Sequence, residues 1–283
     1  MKSTVEQLPR LASGALTSTG GFLDGFTHTL QPYIGCQFAC EYCYVKGLAV
    51  HRFHHPPLPW GKYVHPRTGI DHRLRVELRR MAQRNRLDAL SIFMSSATDP
   101  YQIAERRHRL TRACLDVMIE TPPGLLVVQT RSPFVTDDFV RLRELKERCW
   151  LNLTLETDLD DVRRRLTPFT PSIRQRLHTL EAALAYGLNV QITVSPCLPF
   201  SNVESFGKLL VSHSHRVIVD TYCSGDGMKG RRTQQTAIPA LYTQLGLGEW
   251  RSEEAAMTLF HWLRSRIGEK VGWSQEGFLA LTK

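Results

Sequence analysis

Two hydrophobic patterns alternate along most of the chain. Short apolar runs rich in β-branched residues predict six strands, at 26–35, 89–95, 124–130, 150–157, 188–195 and 215–222. Segments with apolar residues at helical spacing lie between them and predict helices, at 71–86, 104–121, 136–149, 171–187 and 202–213. Because strands and helices alternate at short intervals, we expect βαβ units with parallel strands and right-handed crossovers.

The residues at the ends of the predicted helices agree with this pattern. Asp137 and Asp138 precede the basic segment LRELKER, so acidic residues begin this helix and basic residues end it. Pro171 and Ser172 are typical of a helix start, and Gly187 is typical of a helix end before the next strand. Local signals and periodicity therefore predict the same elements.

Six strand–helix units are fewer than the eight of a complete (β/α)8 barrel. We expect an α/β fold with a partial, open (β/α)6 barrel of parallel strands; the alternative is a doubly wound open sheet. In both architectures, functional groups gather at the carboxyl ends of the strands. The expected organisation is an N-terminal extension over 1–25, a core over 26–222 and a C-terminal helical tail over 223–283 packed on the core. A Pro/His-rich excursion covers 51–66.

Charge and cysteine content narrow the class of protein. The 283 residues carry a formal net charge of +9, which is compatible with a polyanionic partner such as nucleic acid. The arginines are spread over several predicted helices, so charge alone does not establish such a partner. No apolar leader segment and no apolar run of 18 residues is present, and we expect no membrane-spanning helix. Seven cysteines, an odd number, favour a cytoplasmic protein whose clustered cysteines bind metal.

Three of the seven cysteines lie in the short segment CQFACEYC, directly after the first predicted strand: Cys36, Cys40 and Cys43. Four thiolates are the usual ligands of an electron-transfer [4Fe–4S] cluster, and this segment has three. Three thiolates can hold three irons of a cubane and leave the fourth iron open, and an open coordination position is typical of catalytic metal sites. The segment therefore predicts an iron–sulfur cluster whose open iron binds an exchangeable ligand.

Two other interpretations of this segment stay open from the residues alone. A zinc ion completed by His51, His54 or His55 is one, although zinc sites usually pair cysteines in two separated CxxC units. Coincidence is the other. We expect these histidines and His65 to be exposed. The remaining cysteines are expected to act mainly as small buried hydrophobic residues: Cys114, Cys149, Cys197 and Cys223.

The CxxxCxxC arrangement after the first strand of a βα series resembles that of the radical S-adenosylmethionine (radical SAM) superfamily. Further segments, spread in order over about 26–222, narrow the resemblance to the spore photoproduct lyase-like branch, often labelled DNA repair photolyase. The matching segments are PYIGCQFACEYCYV (32–45), SSATDPYQ (95–102), QTRSPFVTDD (129–138), LETDLDDVRRRLTPFTPSIRQRL (155–177) and GLNVQITVSPCLP (187–199).

The resemblance implies a cofactor set and a reaction. In that superfamily the amino and carboxylate groups of SAM chelate the open iron. An electron from the reduced cluster splits SAM into methionine and a 5′-deoxyadenosyl radical, which abstracts hydrogen from the substrate. The resemblance therefore implies a [4Fe–4S] cluster, SAM, and an electron donor such as a flavodoxin or ferredoxin.

The resemblance also assigns residues to SAM, most of them at strand ends. Arg131 would pair with the SAM carboxylate, and Glu156 would accept hydrogen bonds from the ribose hydroxyls. Ser195 would line the SAM pocket, and Tyr42 would lie beside the adenine. The segment expected to hold the methionyl amino group contains Ser95, Ser96, Thr98 and Asp99.

One position departs from the pattern of spore photoproduct lyase. There a cysteine donates the hydrogen atom that quenches the thymine radical, and the matching residue here is Ser96. An O–H group is a far poorer hydrogen-atom donor than S–H, so we do not expect repair of spore photoproduct. Tyr42 and Tyr44 match that enzyme's proposed radical relay and are candidate catalytic residues.

The sequence as a whole predicts a cytoplasmic radical SAM enzyme. Its substrate is unidentified, and nucleic acid or a nucleotide is the favoured class. Two alternatives come from other classes of protein. One is an iron–sulfur electron carrier, which needs a fourth ligand, and the other is a zinc-structured nucleic-acid-binding protein without turnover.

Overall fold

The structure, a computed structural model, describes residues 5–48, 51, 58–223 and 228–282. His54 and His55 lie outside the described residues. The strands are β1 (Glu6–Gln7), β2 (Arg10–Leu11), β3 (Leu16–Ser18), β4 (His28–Leu30), β5 (Tyr33–Ile34), β6 (Tyr63–Thr68), β7 (Ser91–Met94), β8 (Leu125–Thr130), β9 (Cys149–Thr154), β10 (Asn189–Val194), β11 (Arg216–Val219) and β12 (Val271–Trp273).

Helices lie between most of these strands. The α-helices are α1 (Ile70–Ala82), α2 (Glu105–His108), α3 (Leu110–Glu120), α4 (Phe139–Glu144), α5 (Asp160–Leu166), α6 (Ile173–Ala185), α7 (Val203–Ser212), α8 (Ile238–Gln244), α9 (Glu254–Ile267) and α10 (Ser274–Leu279). Short 3-10 helices lie at Gly21–Leu23, Tyr44–Gly47, Pro133–Asp138, Lys146–Arg148, Thr233–Gln235, Gly248–Arg251 and Gly268–Lys270. No helix among the described residues has the length and apolar character that crossing a membrane requires.

The main sheet has eight strands in the order β12–β11–β10–β9–β8–β7–β4–β3. Every neighbouring pair is parallel except β3 with β4, which is antiparallel. From β4 to β12 the strands of this sheet, which exclude β5 and β6, lie side by side in chain order without a reversal. The sheet therefore lacks the switch point of a doubly wound fold. Within the described residues, β3 and β12 each pair with one strand. The predicted α/β fold with an open, partial barrel of parallel strands is confirmed.

The two faces of the sheet bury different side chains, because successive strand residues point to opposite sides. On one face, Leu126 and Val128 belong to the main core, which the surrounding helices complete. On the other face, Phe93 and Val127 form a separate cluster with Phe278 of α10. The C-terminal helix therefore fills part of the inner face of the barrel.

Further along the same strands the inner face becomes polar. Asn152 donates to the Oε1 atom of Gln129, and the Nε2 atom of Gln129 donates to the Thr154 hydroxyl at 2.5 Å. Thr193 donates its hydroxyl to Asn152, and both residues are fully buried. The inner face is therefore apolar at one end and polar near the carboxyl ends of β8, β9 and β10, where the chemistry was expected.

Segments on both sides of the predicted core add strands that periodicity did not indicate. β3, from the N-terminal extension, pairs with β4, and β12, from the C-terminal tail, pairs with β11. A smaller sheet joins β1, β2 and β5 to β6, which begins inside the Pro/His-rich segment. Apart from β6, these strands have two or three residues, too few for an alternating pattern to be recognised.

The predicted helices differ from the observed ones mainly at their ends. The helix expected over 104–121 is divided into α2 and α3 at Arg109, which has a left-handed φ of 51°. The segment 136–149 forms a 3-10 turn followed by α4, which is six residues long. α5 was not predicted as a separate helix. The run 26–35 forms two strands, β4 and β5, which belong to different sheets.

Candidate functional site

One cavity of about 500 Å³ lies at the carboxyl ends of the parallel strands. The segment 35–47, called the cysteine loop below, contributes all three of its cysteines to the wall. Phe22 and Phe278, from the two flanking segments, also line it. Every residue predicted for the site lines this cavity except Glu156, which lies directly behind it. The other members are Cys36, Cys40, Tyr42, Cys43, Tyr44, Ser95, Ser96, Thr98, Asp99, Arg131 and Ser195.

Close backbone packing shapes the cysteine loop. Gly35 has a φ of 87°, and a Cβ atom there would lie 2.6 Å from the carbonyl oxygen of Tyr63. A Cβ atom on Gly61 would lie 2.4 Å from that of Ala39 within the loop. Only glycine fits these two positions. Thr98 donates its hydroxyl to the carbonyl oxygen of Gly35 at 2.6 Å, so this predicted SAM contact also anchors the loop.

The three thiols of the loop are free and lie close enough to influence one another. Cys40 is buried, while Cys36 and Cys43 are half-buried. Burial raises the pKa of all three thiols, and burial together with the neighbouring Cys40 raises that of Cys43 to about 12. Since a metal ligand must be the thiolate, these groups need a strong positive centre in the cavity to ionise.

A charged network adjoins the second cysteine. The Nη1 atom of Arg131 lies 2.6 Å from Oε1 of Glu156, 2.6 Å from the Tyr42 hydroxyl and 3.1 Å from the Cys40 sulfur. Tyr42 donates to the same carboxylate, and the fully buried Arg176 donates to its other oxygen. Burial favours the neutral acid, but the two guanidinium groups outweigh it and lower the pKa of Glu156 to about 2. Glu156 is therefore ionised and fully paired.

The carboxylate of Asp99 accepts three hydrogen bonds from neighbouring groups. Oδ1 accepts from the Thr130 hydroxyl at 2.7 Å and from the backbone N–H of Tyr101 at 2.9 Å. Oδ2 accepts from the backbone N–H of Arg131 at 2.9 Å. Asp99 therefore joins the ends of β7 and β8 and positions the residues that follow both strands.

The two serines of the same segment have different environments. Ser96 is exposed and accepts a hydrogen bond from Gln31 at 2.8 Å. Ser95 is 2% exposed and has a left-handed φ of 73°, and its hydroxyl has no partner among the described residues. A buried hydroxyl without a partner costs free energy, so Ser95 is a candidate for contact with a ligand in the cavity.

Asp220 is a buried carboxylate on the cavity wall that sequence reasoning missed. It follows β11, is 1% exposed, and has an Oδ1 atom without a partner among the described residues. Its Oδ2 atom accepts from Ser195 at 3.0 Å. Burial raises the pKa of Asp220 to about 6, and hydrogen bonding from Ser274 and Ser195 offsets this only in part. Its place after an apolar strand run is the signal that could have identified it.

The two tyrosines of the loop lie in different surroundings. Tyr42 is buried with its hydroxyl in the charged network, whereas Tyr44 begins a 3-10 helix and faces the guanidinium of Arg232 at 5.7 Å. Both line the cavity. The structure therefore brings both candidate relay residues to the same space as the cysteines.

The residues of the zinc alternative have other contacts. The ring of His51 is buried, with Nδ1 2.7 Å from the Tyr63 hydroxyl, and His65 contacts the carbonyl oxygen of Leu8 at 2.8 Å. Both are buried, so the expectation that they are exposed was wrong. Over the described part of the chain, no group of three or more His, Cys, Asp or Glu residues is arranged to hold a single metal ion.

The cysteines outside the loop differ in burial and position. Cys223 is half-buried near the cavity, with its sulfur 3.1 Å from the carbonyl oxygen of Arg251. The others are buried: Cys114, Cys149 and Cys197.

Comparison with solved structures shows the fold that this site belongs to. A spore photoproduct lyase mutant with bound AdoMet and dinucleoside spore photoproduct aligns with a TM-score of 0.63 at 12% identity, covering 96% of this chain and 81% of that chain. Streptococcus suis SuiB, bound to precursor peptide SuiA, aligns with a TM-score of 0.50 at 14% identity, covering 86% and 47%. At these identities, the similarity concerns the fold.

Sequence comparison identifies the family. An uncharacterised protein of Mycobacterium tuberculosis is 27% identical over 176 residues, which are 62% of this chain and 50% of that protein. The chain therefore spans about half the length of this curated relative. The family model described as the radical SAM superfamily matches residues 30–211. The chain belongs to the radical SAM superfamily, whose enzymes bind a [4Fe–4S] cluster and SAM.

Proposed function

We propose that this protein reductively cleaves SAM and uses the resulting 5′-deoxyadenosyl radical to abstract hydrogen from a nucleic acid or nucleotide. Cys36, Cys40 and Cys43 would hold three irons of the [4Fe–4S] cluster. One observation carries the proposal: the three free thiols of one loop face a single cavity at the carboxyl ends of the barrel strands. The donor set fits a cubane with one iron left open.

The unpartnered polar groups of the cavity support a ligand beside the cluster. Ser95 Oγ and Asp220 Oδ1 are buried polar atoms without partners among the described residues, and both residues line the same cavity. An acceptor such as the carboxylate of Asp220 suits amino, hydroxyl or ring N–H groups, which SAM and nucleotides carry. The volume of about 500 Å³ falls in the range of small-molecule sites.

The bound cofactors supply electron transfer and the radical, and the chain's residues hold and enclose them. Phe93 and Phe278 close the inner face with apolar surface, which excludes water from a reactive intermediate. The network of Arg131, Glu156 and Tyr42 fixes the wall beside Cys40. Because Arg131 and Arg176 already neutralise Glu156, we assign this carboxylate a positioning role in place of the predicted contact with the ribose hydroxyls.

The substrate class rests on charge and on the dinucleoside bound by a structural neighbour. The net charge of +9 favours a polyanion, and the lyase structure contains a dinucleoside spore photoproduct. The residue matching that enzyme's hydrogen donor is Ser96, which is exposed and bound to Gln31. We therefore propose a related substrate and not spore photoproduct itself.

Anaerobic reconstitution tests the cofactor assignment. We expect about four irons and four sulfides per chain, an EPR signal that changes when SAM is added, and release of 5′-deoxyadenosine under reducing conditions. The triple variant Cys36→Ala/Cys40→Ala/Cys43→Ala should lose all of these. The control Cys114→Ala, at a buried cysteine outside the cavity, should keep them. Bound zinc, or a cluster that does not respond to SAM, would contradict the proposal.

The substrate is tested separately with defined probes. We expect the reconstituted enzyme to bind a single-stranded oligonucleotide with an affinity that falls as salt rises. The oligonucleotide should also increase the rate of 5′-deoxyadenosine release. Equal rates with and without every oligonucleotide tested, together with stimulation by a peptide, would assign the enzyme to a different substrate class.

A further inference from the structure

A guanidinium group lies against the sulfur of the second cysteine. Arg131 directly follows β8, and its Nη1 atom is 3.1 Å from the Cys40 sulfur, within hydrogen-bonding distance. This is a contact between a cationic donor and a thiol on the cavity wall. No signal in the sequence indicates that these two residues are in contact, because 90 positions lie between them.

The arginine is held in this position from several sides. Its backbone N–H donates to Asp99 at 2.9 Å, and Nη1 also contacts Glu156 and the Tyr42 hydroxyl. Its side chain is 16% exposed. The guanidinium carbon lies 5.9 Å from the ring centre of Tyr42. Arg131 therefore has a fixed direction before any ligand enters the cavity.

A second arginine holds the carboxylate that holds Arg131. Arg176 is fully buried and donates to Glu156, to the carbonyl oxygen of Thr154 at 3.2 Å and to the Thr170 hydroxyl at 2.7 Å. Two guanidinium groups share one carboxylate, so the network keeps a net positive charge beside Cys40. Without Arg131 the network would be neutral.

We propose that Arg131 is a positioning residue that donates a hydrogen bond to the iron-bound thiolate of Cys40 and raises the reduction potential of the cluster. Hydrogen bonds and positive charge at cluster sulfurs stabilise the reduced form, which carries one more negative charge. The inference rests on the proposed role of Cys40 as an iron ligand. It differs from the sequence-based assignment of Arg131 to the SAM carboxylate, which predicts weaker SAM binding with an unchanged potential.

The test is an EPR-monitored redox titration of the reconstituted enzyme without SAM. In Arg131→Met, the ratio of reduced to oxidised cluster at a fixed potential should fall about tenfold, which is about 59 mV for a one-electron couple. Arg131→Lys keeps a cation opposite Glu156 but is shorter and lacks the planar fork. We expect a smaller fall in the same direction for Arg131→Lys, and this variant decides the result if Arg131→Met takes up no cluster.

Arg112→Met is the matched control. Arg112 pairs with Asp138 at 2.7 Å and does not line the cavity, so the same loss of charge should leave the potential unchanged. Potentials equal to the parent in a cluster-containing Arg131 variant would overturn this inference and leave the proposed function intact. A parent protein that binds no cluster would overturn both.

Discussion

Two buried carboxylates lie near the carboxyl ends of the barrel strands, and their pKa values are shifted in opposite directions. Glu156 follows β9 and Asp220 follows β11, and each is 1% exposed. Two arginines bind Glu156 and lower its pKa to about 2 against the cost of burial. Asp220 has no ion pair within the described residues, and burial raises its pKa to about 6.

Glu156 is paired by other side chains of the protein, whereas Asp220 keeps hydrogen-bonding capacity for a ligand. Both carboxylate oxygens of Glu156 accept hydrogen bonds from the protein, so it serves as the fixed centre of a network. Asp220 keeps one buried oxygen without a partner among the described residues, and the residue lines the cavity where ligands are expected. A buried acceptor is costly unless something donates to it, and a ligand can supply that donor.

The largest expected effect is that of Glu156→Gln. This change leaves the fully buried Arg176 and the half-buried Arg131 without their counter-charge, and breaking a buried pair in this way costs about 3–5 kcal/mol. We expect the free energy of unfolding in urea to fall by that amount at pH 7. Because the folded pKa is below the unfolded value of 4.5, the stabilisation is present above pH 4.5 and is lost as the pH falls towards 2.

Asp88→Asn serves as the matched control for Glu156→Gln. Asp88 pairs with Arg148 at 3.0 Å, but its side chain is 89% exposed, so solvent screens the pair and the loss should be close to zero. Equal losses for the two variants would contradict the view of Glu156 as a buried, fully paired centre.

Asp220→Asn should raise the free energy of unfolding, in contrast to Glu156→Gln, which should lower it. A folded-state pKa raised from 3.8 to about 6 means that burying the charge costs about 3 kcal/mol at neutral pH. The parent therefore loses stability as the pH rises from about 4 to 6, and the variant should not. We expect Asp220→Asn to be more stable than the parent at pH 7.5, with the difference disappearing near pH 4.

Asp138→Asn distinguishes an open carboxylate from a merely buried one. Asp138 is 2% exposed and pairs with Arg112 and Arg141, so its neutral variant should lose stability at pH 7.5. If Asp220→Asn also lost stability at that pH, the claim that Asp220, unlike Glu156, is destabilising as a buried charge would be contradicted.

The smallest effect is expected for Ser95→Ala. Its hydroxyl has no partner among the described residues, so its removal should not lower the free energy of unfolding of the ligand-free protein. If Ser95 contacts SAM, the dissociation constant of SAM should rise about tenfold, the value of one hydrogen bond. Equilibrium binding of SAM to the reconstituted enzyme measures this.

Ser132→Ala is the control for Ser95→Ala, because it should change stability and leave SAM binding unchanged. Ser132 caps the following 3-10 helix by accepting from Phe134, and its loss should cost about 1 kcal/mol without changing SAM affinity. A loss of stability in Ser95→Ala with normal SAM binding would show that the hydroxyl serves the fold.

The sequence indicated residues of the cavity wall that directly follow a strand. It did not indicate residues whose role depends on how the helices pack. Ser95, Arg131 and Ser195 follow apolar runs, and all three line one cavity at the carboxyl ends of the strands; their contacts with SAM stay predictions. Asp220 obeys the same rule and could have been found. Arg176 could not, because inside a helical pattern it looks like any surface arginine and only the packing shows that it is fully buried.

The amino-acid sequence by itself determined the order of strands and helices, the parallel barrel and the three-cysteine segment. These depend on periodicity and on spacing along the chain, which are local properties. The tertiary structure alone decided that β3 and β12 extend the sheet, that Glu156 is paired and Asp220 is not, and that Arg131 reaches Cys40. Those outcomes depend on desolvation and on contacts between residues 10 to 91 positions apart, and such contacts exist only once the chain has folded.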